Sequence, residues 1–408
     1  MHSPIAVSRR AALVAGSVGL VSALGRSGLR RDVAAQEGTP VVRDEASLPP
    51  FAADEQLALD AIVEEIIAAE AAPGSVAGLW IAERGAWTHA AGIGNLETAA
   101  PITADDHFRI ASVTKTFVAT VALQLVDEGL LSLDDILESY VPGIPNGAEI
   151  TMRQVLGMTA GIFNYINDPE FEAAYTNDPL MAFTPQDAVE IIKRHPADFA
   201  PGEKVQYSDS NYILAGLIIE KVTGGSAAEA ITSRIIEPLG LTGTSFPDSP
   251  EMPEPYAQGY AADPGSAALR DLTESNPEVP WTAGAIISTL DDLRVWGRVL
   301  AEGTLLSAET QAARLQIGPI SSVPGFDVGY GLGIMDVNGF LGHSGAIFGY
   351  STWVVRSPEE QATIVVLANR GETETEFAGT IAADIAHLFF PERFPRAASA
   401  PATPTPAP

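Results

Sequence analysis

Ser112 and Lys115 have the residue types and the spacing that covalent hydrolysis requires. Three residues make nearly one turn of a helix, so the hydroxyl and the amine face the same side. A serine hydroxyl is a weak nucleophile at neutral pH unless a neighbouring base accepts its proton. Lys115 can be that base if burial or nearby positive charge lowers its pKa. The pair alone does not decide the matter, because a helix N-cap serine followed by a lysine explains it equally well.

A second cluster, Tyr207-Ser208-Asp209, precedes an apolar segment that is predicted to be a helix. A tyrosine at the mouth of a site can relay a proton to a leaving group, and a polar side chain two residues later, here Asp209, can hold a substrate amide. The alternative is that Tyr207 is a buried aromatic residue at the start of a helix. The sequence therefore offers Tyr207 for proton transfer and Asp209 for substrate binding.

A third cluster, Gly342-His343-Ser344-Gly345, lies between predicted strands and is followed by Ala346. Small residues at this point would let a strand edge pair with a substrate backbone. The backbone N–H groups of Ala346 and Ser112 could then form an oxyanion hole. We therefore predict that this cluster contacts the substrate.

The elements that must position these clusters follow from hydrophobic periodicity and turn residues. Helices are predicted at 55–71, 112–129, 212–222 and 374–390, and strands at 76–82, 86–91, 330–335, 349–355 and 362–367. Strands occur near both ends of the chain, whereas the middle, roughly 113–280, consists mostly of helices and long loops. We therefore predict an α+β fold in which early and late strands form one antiparallel sheet flanked by helices, with an all-α region inserted.

Composition excludes several classes of function. The chain has 408 residues, 46% of them hydrophobic, which is enough to bury a large core. Its 52 acidic residues far outnumber its 23 lysines and arginines, so nucleic acid is not an expected partner. There are no cysteines, and the six histidines show no paired ligand spacing, so no disulfide, cofactor or metal is predicted.

The two ends of the sequence differ from the rest. Arg9 and Arg10 stand directly before an apolar stretch, 11–24, which is short for a bilayer span but suits an export signal. The arginine pair resembles a twin-arginine signal, and we predict such a signal at 1–35. The protein would then be exported, secreted or attached to the cell envelope, with an uncleaved N-terminal anchor as the alternative. A polar linker is predicted at 36–52, a folded domain at 53–395 and a disordered Pro-rich tail at 396–408.

In this order, the three clusters resemble those of the serine DD-peptidase and class C β-lactamase family, whose marks are Ser-x-x-Lys, Tyr-x-Asn and Lys-Thr-Gly or His-x-Gly. Other segments that look like this family are Phe108–Ala111, Leu125–Gly129, Ile150–Leu156, Thr159–Gly161, Ala283–Ser288 and Tyr330–Gly333. The resemblance covers most of the chain. It implies a β-lactamase/transpeptidase-like fold, with an α/β part at 53–112 and 281–395 and a mainly helical part at 113–280.

By the same resemblance, Ser112 is acylated, Lys115 and Tyr207 move protons, and Trp281 and the segment from His343 to Ala346 border the acyl group. The likeness is strongest to secreted D-alanyl-D-alanine carboxypeptidases. We therefore predict carboxypeptidase-like hydrolysis of cell-wall peptides through an acyl-enzyme, with a small molecule or peptide as substrate. A β-lactamase or esterase on the same scaffold is one alternative, and a penicillin- or peptide-binding module without turnover is another.

Asp209 departs from the family pattern, because it stands where asparagine is usual. An ionised carboxylate only accepts hydrogen bonds and favours a protonated Lys115. Asp209 could instead be protonated, or it could be turned away with Asn211 nearby.

A second departure concerns the side chains with which the carboxypeptidases hold a terminal carboxylate. In this sequence the corresponding positions look to be those of Met335 and Ala346, neither of which carries a charge. Arg356 is a candidate substitute from the neighbouring strand. Loss of the anchor leaves room for esters or other amides as substrates.

Overall fold

In the computed structural model, strands from both ends of the chain form one antiparallel sheet, as predicted. The structure describes residues 45–70, 72–262, 268–323, 326–371 and 377–395. These residues belong to one compact unit. The predicted export signal at 1–35 and the Pro-rich tail at 396–408 lie outside the described residues. Within the described ranges, no helix is long and apolar enough to cross a membrane.

The main sheet combines an N-terminal hairpin with a C-terminal meander. The strands in the described part of the chain are β1 Gly74–Ile81, β2 Gly85–Asn95, β3 Ala100–Pro101, β4 Phe108–Arg109, β5 Tyr260–Ala262, β6 Leu269–Asp271, β7 Ile287–Ser288, β8 Gly318–Val323, β9 Phe326–Tyr330, β10 Met335–Val337, β11 Phe340–Ile347, β12 Tyr350–Ser357 and β13 Ala362–Ala368. Their order in the main sheet is β3-β2-β1-β13-β12-β11-β10-β9-β8. β1 pairs with β13 from Ser75 opposite Ala368 to Ile81 opposite Ala362, which joins the two parts.

Helices cover the sheet and fill the middle of the chain. They are α1 Ala53–Glu70, α2 Thr114–Asp127, α3 Met152–Leu156, α4 Pro169–Asn177, α5 Pro185–Arg194, α6 Ser210–Thr223, α7 Ala227–Ile231, α8 Glu237–Leu239, α9 Trp281–Gly284, α10 Leu290–Glu302, α11 Ala308–Arg314 and α12 Phe377–Phe389. The helices from α2 to α8 lie between β4 and β5 in the chain. The predicted α+β fold with an antiparallel sheet and a helical region is confirmed.

β13 is buried on both faces. Ile364 and Val366 belong to the core that the sheet forms with α1 and α12, whereas Val365 and Leu367 belong to the core that includes α2 and α10. Successive side chains of a strand point to opposite faces of the sheet. A strand that is covered on both sides therefore needs the continuous apolar sequence that β13 has.

α2 runs through the interior of the molecule. It contacts α6, α7 and α9, and most of its side chains are buried, including that of Lys115. A helix that is surrounded by other elements is apolar on all sides rather than on one stripe. The helix ends where Gly129 was predicted to stop it, since this glycine adopts a φ of +70° just beyond Glu128.

The predicted strand at 330–335 is wrong. β9 ends at Tyr330 and β10 begins at Met335, and a turn connects them in which Gly331 N–H donates to the Ile334 carbonyl at 2.8 Å. Gly333 has a φ of +71°, and a Cβ atom there would lie 2.2 Å from the Cβ of Ala119 on α2. The glycines that interrupt this apolar segment therefore form a turn that packs tightly on α2.

The predicted linker at 36–52 is wrong in its described part. Glu45 and Phe51 are buried, and Pro50 forms a bridge with Ala86 of β2. The Glu45 carboxylate lies 2.6 Å from Nη1 of Arg356 on β12. The chain is therefore attached to the domain from Glu45 onward.

Candidate active site

Ser112 lies in a 3-10 turn, Ala111–Val113, which leads directly into α2. Ala111 has a φ of +47°, a left-handed conformation that costs a non-glycine residue about 1–3 kcal/mol and persists only where its surroundings enforce it. The N–H of Ile110 donates to the Ile286 carbonyl at 2.9 Å, next to the β4–β7 pair. The nucleophile candidate is therefore presented by a constrained turn.

β11 passes directly beside this turn. A Cβ atom on Gly345 would lie 2.4 Å from the carbonyl oxygen of Ile110 and 3.1 Å from the backbone nitrogen of Ser112. Real Cβ atoms do not approach a backbone oxygen so closely, so only glycine permits the contact. The structure thus brings the third sequence cluster next to the first.

Lys115 is completely buried, and its nitrogen contacts three oxygens. Nζ lies 2.9 Å from Ser112 Oγ, 2.6 Å from Asp209 Oδ1 and 2.7 Å from the Ala283 carbonyl oxygen. Burial lowers the pKa of Lys115, and the charge and hydrogen bond of Asp209 oppose this effect. The net direction is downward, so the pKa of Lys115 lies below that of an ordinary lysine.

Asp209 points into the site, and the alternative in which it turns away is wrong. Asn164 holds it twice, because its Nδ2 donates to Asp209 Oδ2 at 3.2 Å and its Oδ1 accepts from Asp209 N–H at 3.1 Å. Asn211 is buried elsewhere, with Nδ2 at 3.3 Å from the sulfur of Met158. The carboxylate therefore lies between Lys115 and Asn164.

Tyr207 and His343 line the site on the side of Lys115. The Lys115 nitrogen lies 4.9 Å from the centroid of the Tyr207 ring, and that ring is 6.1 Å from the imidazole of His343. Ser112, Lys115, Tyr207, Asp209 and His343 therefore surround one position. Their roles in catalysis stay predictions.

His343 is a fully buried and neutral side chain. Its Nδ1 is hydrogen-bonded to the carbonyl of Ser344, and a carbonyl only accepts, so Nδ1 carries the proton. Nε2 then accepts the hydroxyl proton of Tyr330, whose oxygen is 3.1 Å away. Burial, with a smaller contribution from Lys115, lowers the pKa of His343 to about 3. His343 therefore supplies no cation to the site at neutral pH.

The second half of β11 extends beyond its neighbour in the sheet. β10 pairs only with Phe340–Gly342, and the Ser344 hydroxyl lies 3.9 Å from the sulfur of Met335 at the start of β10. Ala346 is half-buried and lies opposite Ser351 of β12. The predicted oxyanion hole at Ala346 and Ser112 and the substrate contact of Ser344 fit this arrangement and stay predictions.

Trp281 begins α9, the short helix whose Ala283 carbonyl accepts from Lys115. A Cβ atom on Gly216 of α6 would lie 2.7 Å from the indole ring, so the ring is seated on α6. Its predicted contact with the substrate stays a prediction.

Arg356, the candidate substitute for a carboxylate anchor, is bound by other residues of the domain. It is buried, and its guanidinium contacts Glu45 at 2.6 Å, Glu302 at 2.9 Å and the Thr363 hydroxyl at 2.8 Å. A buried guanidinium is retained where carboxylates compensate its charge. Arg356 therefore joins the segment that begins at Glu45 to β12.

Sequence reasoning missed Asn164 and Ala283. Asn164 lies three residues beyond the family-like Thr159–Gly161 segment, but its partner Asp209 is 45 residues away, so no local spacing links the two. Ala283 acts through its carbonyl oxygen, for which a sequence has no side-chain signature. Within the described ranges, no group of three or more histidine, aspartate or glutamate residues could hold a metal ion.

This combination of fold and site defines a serine hydrolase, and it places a lysine beside the serine where a Ser-His-Asp triad has a histidine. The Beta-lactamase family model matches residues 59–388, and the chain belongs to that family.

Three similar proteins illustrate the range of the family. The chain is 28% identical over 319 residues to penicillin-binding protein 4* of Bacillus subtilis (strain 168), covering 74% of this chain and 69% of that protein. A D-stereospecific amidohydrolase from Streptomyces sp. is 33% identical, with a TM-score of 0.73 over 82% of this chain and 98% of that one. The D-amino acid amidase of Ochrobactrum anthropi SV3, complexed with D-phenylalanine, shares the fold at 24% identity, with a TM-score of 0.73 over 83% of this chain and 100% of that one.

Proposed function

We propose that this protein is a serine amidohydrolase that forms an acyl-enzyme on Ser112 and acts on amides of D-configured acyl groups. The observation that carries the proposal is the 2.9 Å contact between Ser112 Oγ and Nζ of Lys115, a completely buried lysine whose pKa is lowered by that burial. A lysine with a lowered pKa accepts the serine proton more readily than an ordinary lysine does.

Acylation begins when Ser112 Oγ forms a bond to the substrate carbonyl carbon and its proton passes to neutral Lys115. The carbonyl oxygen becomes negative and is received by the backbone N–H groups of Ser112 and Ala346. The C–N bond then breaks, and the amine leaves with a proton that Lys115 returns through Tyr207. Water attacks the acyl carbon in the second half-reaction, releasing a carboxylic acid and restoring the serine.

The charges around the site favour substrates without a terminal carboxylate. Met335 and Ala346 carry no charge, Arg356 is bound to Glu45 and Glu302, and His343 is neutral. A carboxylate would also be repelled by Asp209. The similarity to a D-stereospecific amidohydrolase at 33% identity supports D-configured amides as the substrate class.

D-alanyl-D-alanine carboxypeptidase activity on cell-wall peptides is the second candidate. It is supported by the motif pattern and by the similarity to penicillin-binding protein 4*. We rank this carboxypeptidase activity below the hydrolysis of simple amides, because the positions of the carboxylate anchor look like the uncharged Met335 and Ala346. An esterase, a β-lactamase and a module that binds without turnover are weaker candidates, and the joint presence of Ser112, Lys115 and Tyr207 argues against the last.

A substrate panel with a Ser112→Ala control tests the proposal. The panel contains D- and L-phenylalanine amide, a tripeptide ending in D-Ala-D-Ala, nitrocefin and a p-nitrophenyl ester. We expect kcat/KM for the D-amide to exceed that for the L-amide and the tripeptide by about tenfold or more, the scale on which pocket contacts discriminate substrates. Preferred release of D-alanine from the tripeptide would replace the proposal with the second candidate. Amide turnover that persists in Ser112→Ala would contradict both.

A further inference from the structure

Asp209 is the negative charge of the site that remains within reach of solvent. Its side chain is 15% exposed, whereas that of Lys115, its ion-pair partner, is 0% exposed. A molecule that approaches Ser112 from solvent therefore meets the carboxylate before it meets the lysine.

The Asp209 carboxylate can accept a hydrogen bond from a further donor. An ionised carboxylate offers about four lone-pair positions on its two oxygens. Lys115 uses one position on Oδ1, and the Asn164 amide uses one on Oδ2. Asp209 cannot donate a hydrogen bond to a carbonyl, as an asparagine could, and it repels anions. The group that suits it is a cation with several N–H donors.

The carboxylate is also held in place. Asn164 binds both its side chain and its backbone N–H. The neighbouring segments are joined as well, because the Ser210 hydroxyl accepts from Tyr165 N–H at 2.9 Å and donates to the Phe163 carbonyl at 2.7 Å. A preorganised acceptor loses little conformational entropy when a ligand binds.

We infer that Asp209 selects acyl donors that carry a free ammonium group on the α-carbon, so that D-aminoacyl amides and esters are preferred over their N-acylated forms. The inference rests on the proposed acyl-enzyme function and names the substrate class of that site. The Asp209 carboxylate binds the ammonium while Ser112 attacks the adjacent carbonyl carbon.

Binding of the substrate ammonium also affects the protonation of Lys115, the proposed base. The groups that face Lys115 are Asp209, the rings of Tyr207 and Tyr212, and neutral His343. A substrate ammonium shares the Asp209 carboxylate and brings a second positive charge close to Lys115. Both effects favour the neutral form of the lysine, which releases its proton to solvent. The preferred substrate therefore promotes the state of Lys115 that accepts the serine proton.

The p-nitrophenyl esters of D-phenylalanine and N-acetyl-D-phenylalanine provide a matched pair of probes, because they differ only in whether the amino group on the α-carbon of the reacting acyl group is free. The kcat/KM of each is measured from p-nitrophenol release at a pH where the free amine is protonated. We expect the ester with the free amine to react about tenfold faster or more with the unchanged protein, the scale of one charge-assisted hydrogen bond. The ratio should fall to about one in Asp209→Asn. D-phenylalanine amide and its N-acetyl derivative should show the same pattern in kcat/KM.

Asp60→Asn is the matched control, since it removes one carboxylate charge from α1, where Asp60 contacts Trp87 of β2. It should leave the ratio unchanged. Labelling of Ser112 by a fluorophosphonate is measured in each variant and reports the proposed function separately. If labelling fails in the unchanged protein, the proposed function fails. If labelling succeeds but the unchanged protein shows no preference for the amines, reacts with no member of either pair, or keeps its preference in Asp209→Asn, the inference is overturned.

Discussion

At the scale of single residues, two opposing effects act on the pKa of Lys115. Burial favours the neutral amine, whereas the contact of 2.6 Å with Asp209 favours the ammonium. The sequence predicted the pair of Ser112 and Lys115 because their spacing is local. It could not predict that burial outweighs Asp209, since burial depends on helices distant in sequence. Asn164 was missed for the same reason.

The two opposing effects on the pKa of Lys115 predict how the rate of acylation depends on pH. Acylation by a neutral p-nitrophenyl ester should rise with pH as Lys115 loses its proton, and the rise should be centred below the ordinary pKa of lysine. Asp209→Asn removes the charge that raises the pKa of Lys115, so the rise in acylation should move to lower pH. The measurement is the pH dependence of kcat/KM for the ester, with Asp60→Asn as the control. A rise that stays in place or moves to higher pH would refute this assignment of the base.

At the scale of elements, the site depends on how closely β11 approaches the turn that carries Ser112. The periodicity of the sequence predicted the sheet and its antiparallel joining of early and late strands. It predicted a strand at 330–335 where two glycines form a turn, because an apolar segment of this length fits a strand equally well before its packing on α2 is known. Turn geometry and close approach are tertiary properties, so they became visible only in the fold.

Gly345→Ala tests the close approach. The added Cβ atom, 2.4 Å from the Ile110 carbonyl oxygen, must displace either the strand or the turn. We expect a loss of about 1–3 kcal/mol in the free energy of unfolding, the usual cost of overpacking, measured by denaturant titration. Fluorophosphonate labelling of Ser112 should slow by about tenfold or more, because a misplaced nucleophile loses its alignment.

Gly225→Ala serves as the control for this substitution. Gly225 is exposed, and its added Cβ atom would meet only the flexible end of Glu229 at 3.0 Å among the nearest atoms. Stability and labelling should change little there. Normal labelling and stability in Gly345→Ala would show that β11 does not constrain the turn.

At the scale of the whole molecule, the net charge of the chain has the same negative sign as the Asp209 carboxylate in the site. The formal net charge is −29 at pH 7, and a surface charge of this sign favours solubility and attracts small cations over small anions. Fold class and family could be predicted from the sequence because the three clusters occur in the order that is typical of the family. Family-like segments between them extend the resemblance over most of the chain. The substrate could not, because it depends on which side chains the fold brings to the site. The sequence offered Arg356 as an anchor, but this residue is bound by Glu45, which lies 311 residues away.

The central claim is that Ser112 becomes covalently acylated, and intact-protein mass spectrometry followed by peptide mapping tests it most directly. The protein is treated with a fluorophosphonate, alongside Ser112→Ala as the matched control. We predict a single adduct located on the peptide that contains Ser112, and none on the variant. An adduct on another residue, or labelling that survives in Ser112→Ala, would contradict the account.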